Sequence, residues 1–143
     1  NGNQFPDIGC IIRQGGKMET LNFQQLNSSY KYLVGKYDLE FLTLPRIYMT
    51  DVEIKQSKTS SITIPNSGFV SISKRAGPCQ ILQIKDGQEI WVCNINNPAG
   101  TYRLKLLPGK YKITYRAETA ITIGNSVERI ITITPANEEF IEF

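Results

Sequence analysis

Three observations predict an all-β protein built as two tandem small antiparallel Greek-key β-sandwich domains. Short runs of alternating apolar and polar residues recur along the whole chain, and turn-forming residues separate them. No ten-residue stretch carries a convincing 3.6-residue period; the best helical candidate, Met18 to Leu26, places Leu21, Phe23 and Leu26 on neither a helical nor a strand template. The chain also repeats itself. LLPGKYKITYRA at Leu106 to Ala117 aligns without a gap on YLVGKYDLEFLT at Tyr32 to Thr43, and each copy is followed by a second matched anchor, Ser61 to Pro65 (SITIP) and Ile131 to Pro135 (ITITP).

The first half divides into strands over Ile8 to Arg13, Thr20 to Gln24, Tyr30 to Val34, Lys36 to Thr43, Ile47 to Ile54 and Ser60 to Pro65. The repeated strand is the most legible, because Tyr37, Leu39 and Phe41 alternate with Lys36, Asp38 and Glu40, the period-two signature of one buried face. With fewer strands than the second half, this part reads as lacking a leading strand. Pro65-Asn66-Ser67-Gly68 joins a rigid residue to three turn formers and sets the expected boundary, giving domains of 1–66 and 67–143. Domains of about 60 residues bury only about 60% of their extended surface, so each half is expected to need the other.

The second half yields seven strands: Phe69 to Ser73, Cys79 to Ile84, Glu89 to Ile95, Thr101 to Leu106, Lys110 to Arg116, Val127 to Thr134 and Glu138 to Phe143. Here Tyr111, Ile113 and Tyr115 repeat the inward pattern against Lys110, Lys112 and Thr114. Trp91 joins the expected core. Lys85-Asp86-Gly87 reads as a three-residue hairpin loop with Gly87 left-handed, which sets Ile81 against Trp91 and Cys79 against Cys93. Cross-strand Cβ atoms lie about 4.5 to 5.5 Å apart and a disulfide wants about 3.5 to 4.5 Å, so two free buried thiols are favoured over a strained bridge. Cys10 leaves an odd count in any case.

Composition excludes more than it assigns. The 16 basic and 13 acidic residues are scattered singly, so no stripe for nucleic acid is expected, and no segment approaches the roughly 20 apolar residues that span a bilayer. With 41% hydrophobic and 20% charged residues the chain reads as soluble and folded. It opens Asn-Gly-Asn without Met or a signal segment, and reads as a piece of something longer.

The absence of histidine removes Ser-His and Cys-His nucleophiles, His-Glu-x-x-His zinc sites and the usual general base. Asp38 with Glu40 and Asp51 with Glu53 sit two apart on outward strand faces, where a solvated surface is the simpler reading than a glycosidase pair. Asn94, Asn96 and Asn97 lack the carboxylate a calcium site needs and read as a turn. No cofactor, metal or catalytic residue is therefore expected. Among the 7 tyrosines, Tyr30, Tyr32, Tyr48 and Tyr102 fall off the clear inward pattern and are candidate exposed contacts, for carbohydrate if two of them stand coplanar beside polar groups.

Leu107-Pro108-Gly109-Lys110-Tyr111-Lys112-Ile113 resembles the signature of carboxypeptidase regulatory-like domains, transthyretin-like seven-stranded sandwiches of the broader Ig-like kind. A wider run, Cys10 to Arg13, Tyr32 to Glu40, Leu42 to Pro45 and Glu89 to Val92, resembles the C-terminal β-region of bacterial proteins that carry a von Willebrand factor A domain upstream. The Asp-x-Ser-x-Ser metal motif of that A domain is absent, so the resemblance implies an accessory role and no binding residue. It implies a bacterial envelope, periplasmic or exported setting. The expected partners are proteins or other domains of the same polypeptide, an upstream A domain among them.

Overall fold

The computed structural model describes residues 8–118 and 126–143, and they are all-β, with eleven strands and no helix among them. Backbone contacts divide the chain into two compact units, Asn1–Thr63 and Ile64–Phe143, a division three residues before the expected boundary.

Unit 1 forms one four-stranded antiparallel sheet. Its strands are β1 (Gly9–Gln14), β2 (Thr20–Gln25), β3 (Gly35–Phe41) and β4 (Ile47–Ile54), in the order β2-β1-β3-β4. Cys10 and Ile12 on β1 lie opposite Phe41 and Leu39 on β3, so one face collects the apolar residues. Cys10, Ile12, Tyr37 and Phe41 are buried and Leu39 is half-buried.

Unit 2 holds two sheets. β5 (Gly68–Lys74), β8 (Gly100–Leu106) and β11 (Glu138–Glu142) form the order β11-β5-β8; β6 (Cys79–Lys85), β7 (Gln88–Ile95), β9 (Gly109–Arg116) and β10 (Ser126–Ile133) form β10-β9-β6-β7. The two sheets pack on each other through fully buried Val70, Ile72 and Leu106 from one and Ile81, Tyr111, Ile113 and Ile133 from the other. The Tyr115 ring meets Phe143 at 5.1 Å. One pairing departs from the antiparallel expectation: β11 runs parallel to β5, because the chain crosses from β10 in one sheet to reach the far side of the other.

The internal repeat extends to backbone geometry. β1, β2, β3 and β4 correspond to β6, β7, β9 and β10, and both sheets have the same order. Cys10 opposite Phe41 answers Cys79 opposite Tyr115, and Ile12 opposite Leu39 answers Ile81 opposite Ile113. A β-bulge falls after Ile12 in one and after Ile81 in the other, with Leu21 and Val92 as the extra residues. The tyrosine of each Gly-Lys-Tyr phrase closes the same bond: Tyr37 donates to the Leu33 carbonyl and Tyr111 to that of Leu107, both at 2.7 Å.

Four expectations are corrected. Asp86 and Gly87 both have positive φ, 51° and 72°, and Lys85 pairs with Gln88, so the hairpin is a two-residue type I′ turn and not a three-residue loop. That turn puts Leu82 opposite Trp91, and a one-residue slip exchanges faces, so Trp91 stands 59% exposed on the outer face instead of in the core. Beyond the bulge Cys79 faces Ile95 and Cys93 faces Ile81; all three cysteines are free thiols. Finally, residues 30–34 and 60–65 form no strand. The segment 30–34 aligns on Leu104 to Pro108, whose strand β8 is bonded only to β5, and unit 1 has no counterpart of β5 among its described residues.

Candidate functional site

The outer face of the unit 1 sheet gathers side chains that the sequence scatters. Pairing aligns Phe23, Ile11, Glu40 and Tyr48 in one row across all four strands. Phe23 and Tyr48 are 49% and 66% exposed at its ends, while Glu40 is buried between them. Burying a carboxylate is costly unless it is paired and hydrogen-bonded. Arg13 donates to Glu40 Oε2 at 2.8 Å, Arg46 bonds Oε1 from the other side, and the Tyr48 hydroxyl lies 3.4 Å from the same oxygen. Those two guanidinium bonds hold the Glu40 carboxyl below its ordinary value, so it stays ionised and cannot serve as a general acid near neutrality.

Asp38, two residues earlier on β3, is also occupied. It accepts the backbone N–H groups of Gly16 at 3.0 Å and Asp51 at 3.1 Å, which lowers its carboxyl too. This pair thus ties the β1–β2 turn and the irregular point of β4 to the central strand. Asp51 has a left-handed backbone, φ 57°, at that irregularity, and lies 3.8 Å from Lys36. Neither carboxylate pair presents two free acids to a cleft. A hollow of about 400 Å³ near Gln80, Asn94, Asn97, Thr114 and Arg116 has no carboxylate in its lining.

The candidate tyrosines separate into two groups. Tyr30 and Tyr48 are exposed. Tyr32 is half-buried, accepts from Asn22 at 2.9 Å, donates to Gln24 at 3.0 Å, and meets the Tyr37 ring at 5.6 Å in a tilted arrangement. Tyr102 is half-buried and donates to the Pro98 carbonyl at 2.9 Å. Its ring lies 5.3 Å from Lys74 Nζ. Lys74 is buried at the end of β5 and was not predictable as such: its ammonium donates to the carbonyls of Gly77, Asn97 and Pro98 at 3.0 to 3.1 Å. The Asn96–Asn97 loop is therefore a ligand for lysine.

Two of the sheet edges, β2 and β7, are poor in charge. β7 is an outer strand of eight residues, exposed over Gln88 to Trp91, with Glu89 its only charge; Ile90 is 45% exposed. The Trp91 indole N–H donates to Asn94 Oδ1 at 3.0 Å across the bulge, which fixes the ring while its face meets solvent. Beside it Lys112 bridges Glu89 and Glu128. β2, the matching edge of unit 1, has no charged residue and exposes Leu21 and Phe23. On the outer face of the other sheet of unit 2, Arg103 pairs with Glu138 at 2.8 Å, Ser71 donates to the same carboxylate, and Phe140 is 77% exposed.

Among the described residues no helix is long and apolar enough to cross a bilayer, and no three His, Cys, Asp or Glu side chains group as a metal site. No family model matches the chain, and no curated protein matches it.

Proposed function

We propose that this chain is a non-catalytic accessory β-module of a larger bacterial envelope or exported protein, and that it works through protein contacts. The carrying observation is the pair of matching edges, β2 and β7, each bearing an exposed aromatic and at most one charge. Soluble sheets normally blunt such edges with lysine, proline or a covering segment, because unpaired strand groups template association. Seven strands in unit 2 support the likeness to carboxypeptidase regulatory-like sandwiches. The occupied states of Asp38 and Glu40 support a role without catalysis.

The test is amide hydrogen exchange of residues 20–25 and 88–95 in the intact parent polypeptide and in the isolated chain. Contact use predicts slower exchange at one or both edges in the parent. Identical exchange at both edges in the two samples removes the reading. Exposed Tyr48 and Phe23 flanking the Arg13–Glu40–Arg46 group favour a second reading, carbohydrate binding on that face. It requires Tyr48→Ala to weaken retention on a polysaccharide that the unaltered chain binds.

A further inference from the structure

We propose that the outer face of the four-stranded sheet of unit 2 carries a saccharide subsite, built from Trp91 and the polar hollow beside it, and that its ligand is a neutral oligosaccharide of gluco configuration. This function goes beyond the edge contacts proposed above. It lies on a different unit from Phe23 and Tyr48.

The first ground is the hollow. Pairing aligns Asn94, Gln80, Thr114 and Glu128 in one row across β7, β6, β9 and β10, and the first three line the hollow of about 400 Å³. Small-molecule sites begin at about 300 Å³. The repeat shows why the face is hollow here: Asn94 stands where unit 1 has Phe23, and Pro78 where unit 1 has Gly9. In unit 1 the Phe23 ring lies over Gly9, so close that a Cβ built there meets the ring tip at 1.9 Å. In unit 2 a shorter, polar side chain takes the place of that ring.

The second ground is the ring. Trp91 lies in the next row, opposite Leu82, with its indole N–H held at 3.0 Å by Asn94, the same side chain that lines the hollow. One amide thus sets an exposed aromatic face beside the hollow and orders it before any ligand arrives. A gluco-configured pyranose carries its hydroxyls equatorially and its ring C–H bonds axially. It therefore offers a flat apolar face to the indole and a rim of hydroxyls to the hollow.

The third ground is the kind of polar group present. Amides and hydroxyls both donate and accept, as sugar hydroxyls do, whereas a carboxylate only accepts and a lysine only donates. Gln80 and Thr114 make no side-chain hydrogen bond to another described residue, and Asn94 spends only its oxygen on Trp91. Of the described lining only Arg116 is charged; around it Glu128 ends the row, and Lys112, next to Leu82, bridges Glu128 and Glu89. Two positive and two negative groups balance across the site, and a neutral ligand leaves that balance undisturbed.

The test titrates the full chain with cellopentaose and with chitopentaose and follows the emission of Trp91, the sole tryptophan. Expected is a saturable blue shift with half-saturation at or below about 1 mM for at least one of the two sugars. Calorimetric titration of variants, each checked for an unchanged urea midpoint, then locates the site. Trp91→Ala is expected to weaken binding about tenfold or more, as loss of a stacking ring does, and Thr114→Val about threefold, as loss of one hydrogen bond does. Tyr48→Ala should bind as the unaltered chain does. No saturable response to either sugar at about 10 mM overturns the proposal. Full binding by Trp91→Ala or by Thr114→Val also overturns it, and loss of binding in Tyr48→Ala moves the sugar to unit 1 and does the same. An emission shift that grows with chain concentration before sugar is added assigns the ring to a contact between copies, again overturning it. Amide exchange at residues 20–25 and 88–95 in the parent reads the edge contacts separately, so the two proposals can fail independently.

Discussion

Replacing Tyr111 with phenylalanine isolates the most buried element of the repeated phrase. The ring is fully buried and the hydroxyl donates to the Leu107 carbonyl at 2.7 Å, in a region closed to water. Phenylalanine keeps the ring and deletes the donor. The net loss of a neutral hydrogen bond is about 0.5 to 1.5 kcal/mol, and stranding a buried carbonyl raises the cost toward about 1 to 3 kcal/mol. Tyr111→Ala also opens a cavity and is expected to cost about 3 to 5 kcal/mol. Urea unfolding followed by circular dichroism and by the fluorescence of Trp91, the sole tryptophan and part of unit 2, measures both. With a slope near about 1 kcal/mol per molar urea, the Phe variant should unfold about 1 to 3 M earlier. A Phe variant within about 0.3 M of the unaltered chain on that same slope refutes the buried bond, and an Ala variant no worse than Phe refutes the core role of the ring.

Glu40→Gln should destabilise the chain at neutral pH and flatten its acid limb. Because the folded carboxyl titrates below its ordinary 4.5, its contribution is complete above that pH and is lost as pH falls through the folded value; a midpoint-against-pH series from 7 to about 2.5 reads both effects. Cys10 and Cys79 should resist alkylation in the native chain at pH 8, since burial raises both thiols, that of Cys79 to about 11, and three thiols should titrate after denaturation. Gly87→Ala meets no atom within 4 Å and should cost only the left-handed backbone term, about 1 kcal/mol, by the same urea assay. Gly77→Ala places a methyl 2.1 Å from the Arg116 carbonyl and should cost several times more, to the point of lost folding in unit 2.

Alternation made most of the fold legible, because a strand with one buried face writes period two into its residues. Tyr37, Phe41, Tyr111, Ile113 and Tyr115 lie where that pattern puts them. Parity was the weak point: the β6–β7 hairpin combines a two-residue turn with a bulge, and each shifts the register by one, so Trp91 and Cys93 could not be placed by counting from either end alone. Residues 30–34 carry a strand pattern without a strand neighbour among the described residues, and a sequence shows propensity but not the partner that makes it structure. The Arg13–Glu40–Arg46 group was hidden for a related reason. Its members come from β1, β3 and the segment before β4, and meet only once the sheet order is known. Lys74 has the sequence context of an exposed strand end, and only the carbonyls converging from two loops explain its burial.

The matched bulges show that the repeat extends to the bend of each hairpin. Leu21 and Val92 differ in size and exposure, and Thr20 and Trp91 beside them differ in size, yet each extra residue interrupts the same rung of the same hairpin. A kink that keeps its place with different side chains on it is a property of the backbone path and not of the residues at the bulge. What both halves share is a bent hairpin and a tyrosine latch, each written by a different set of side chains.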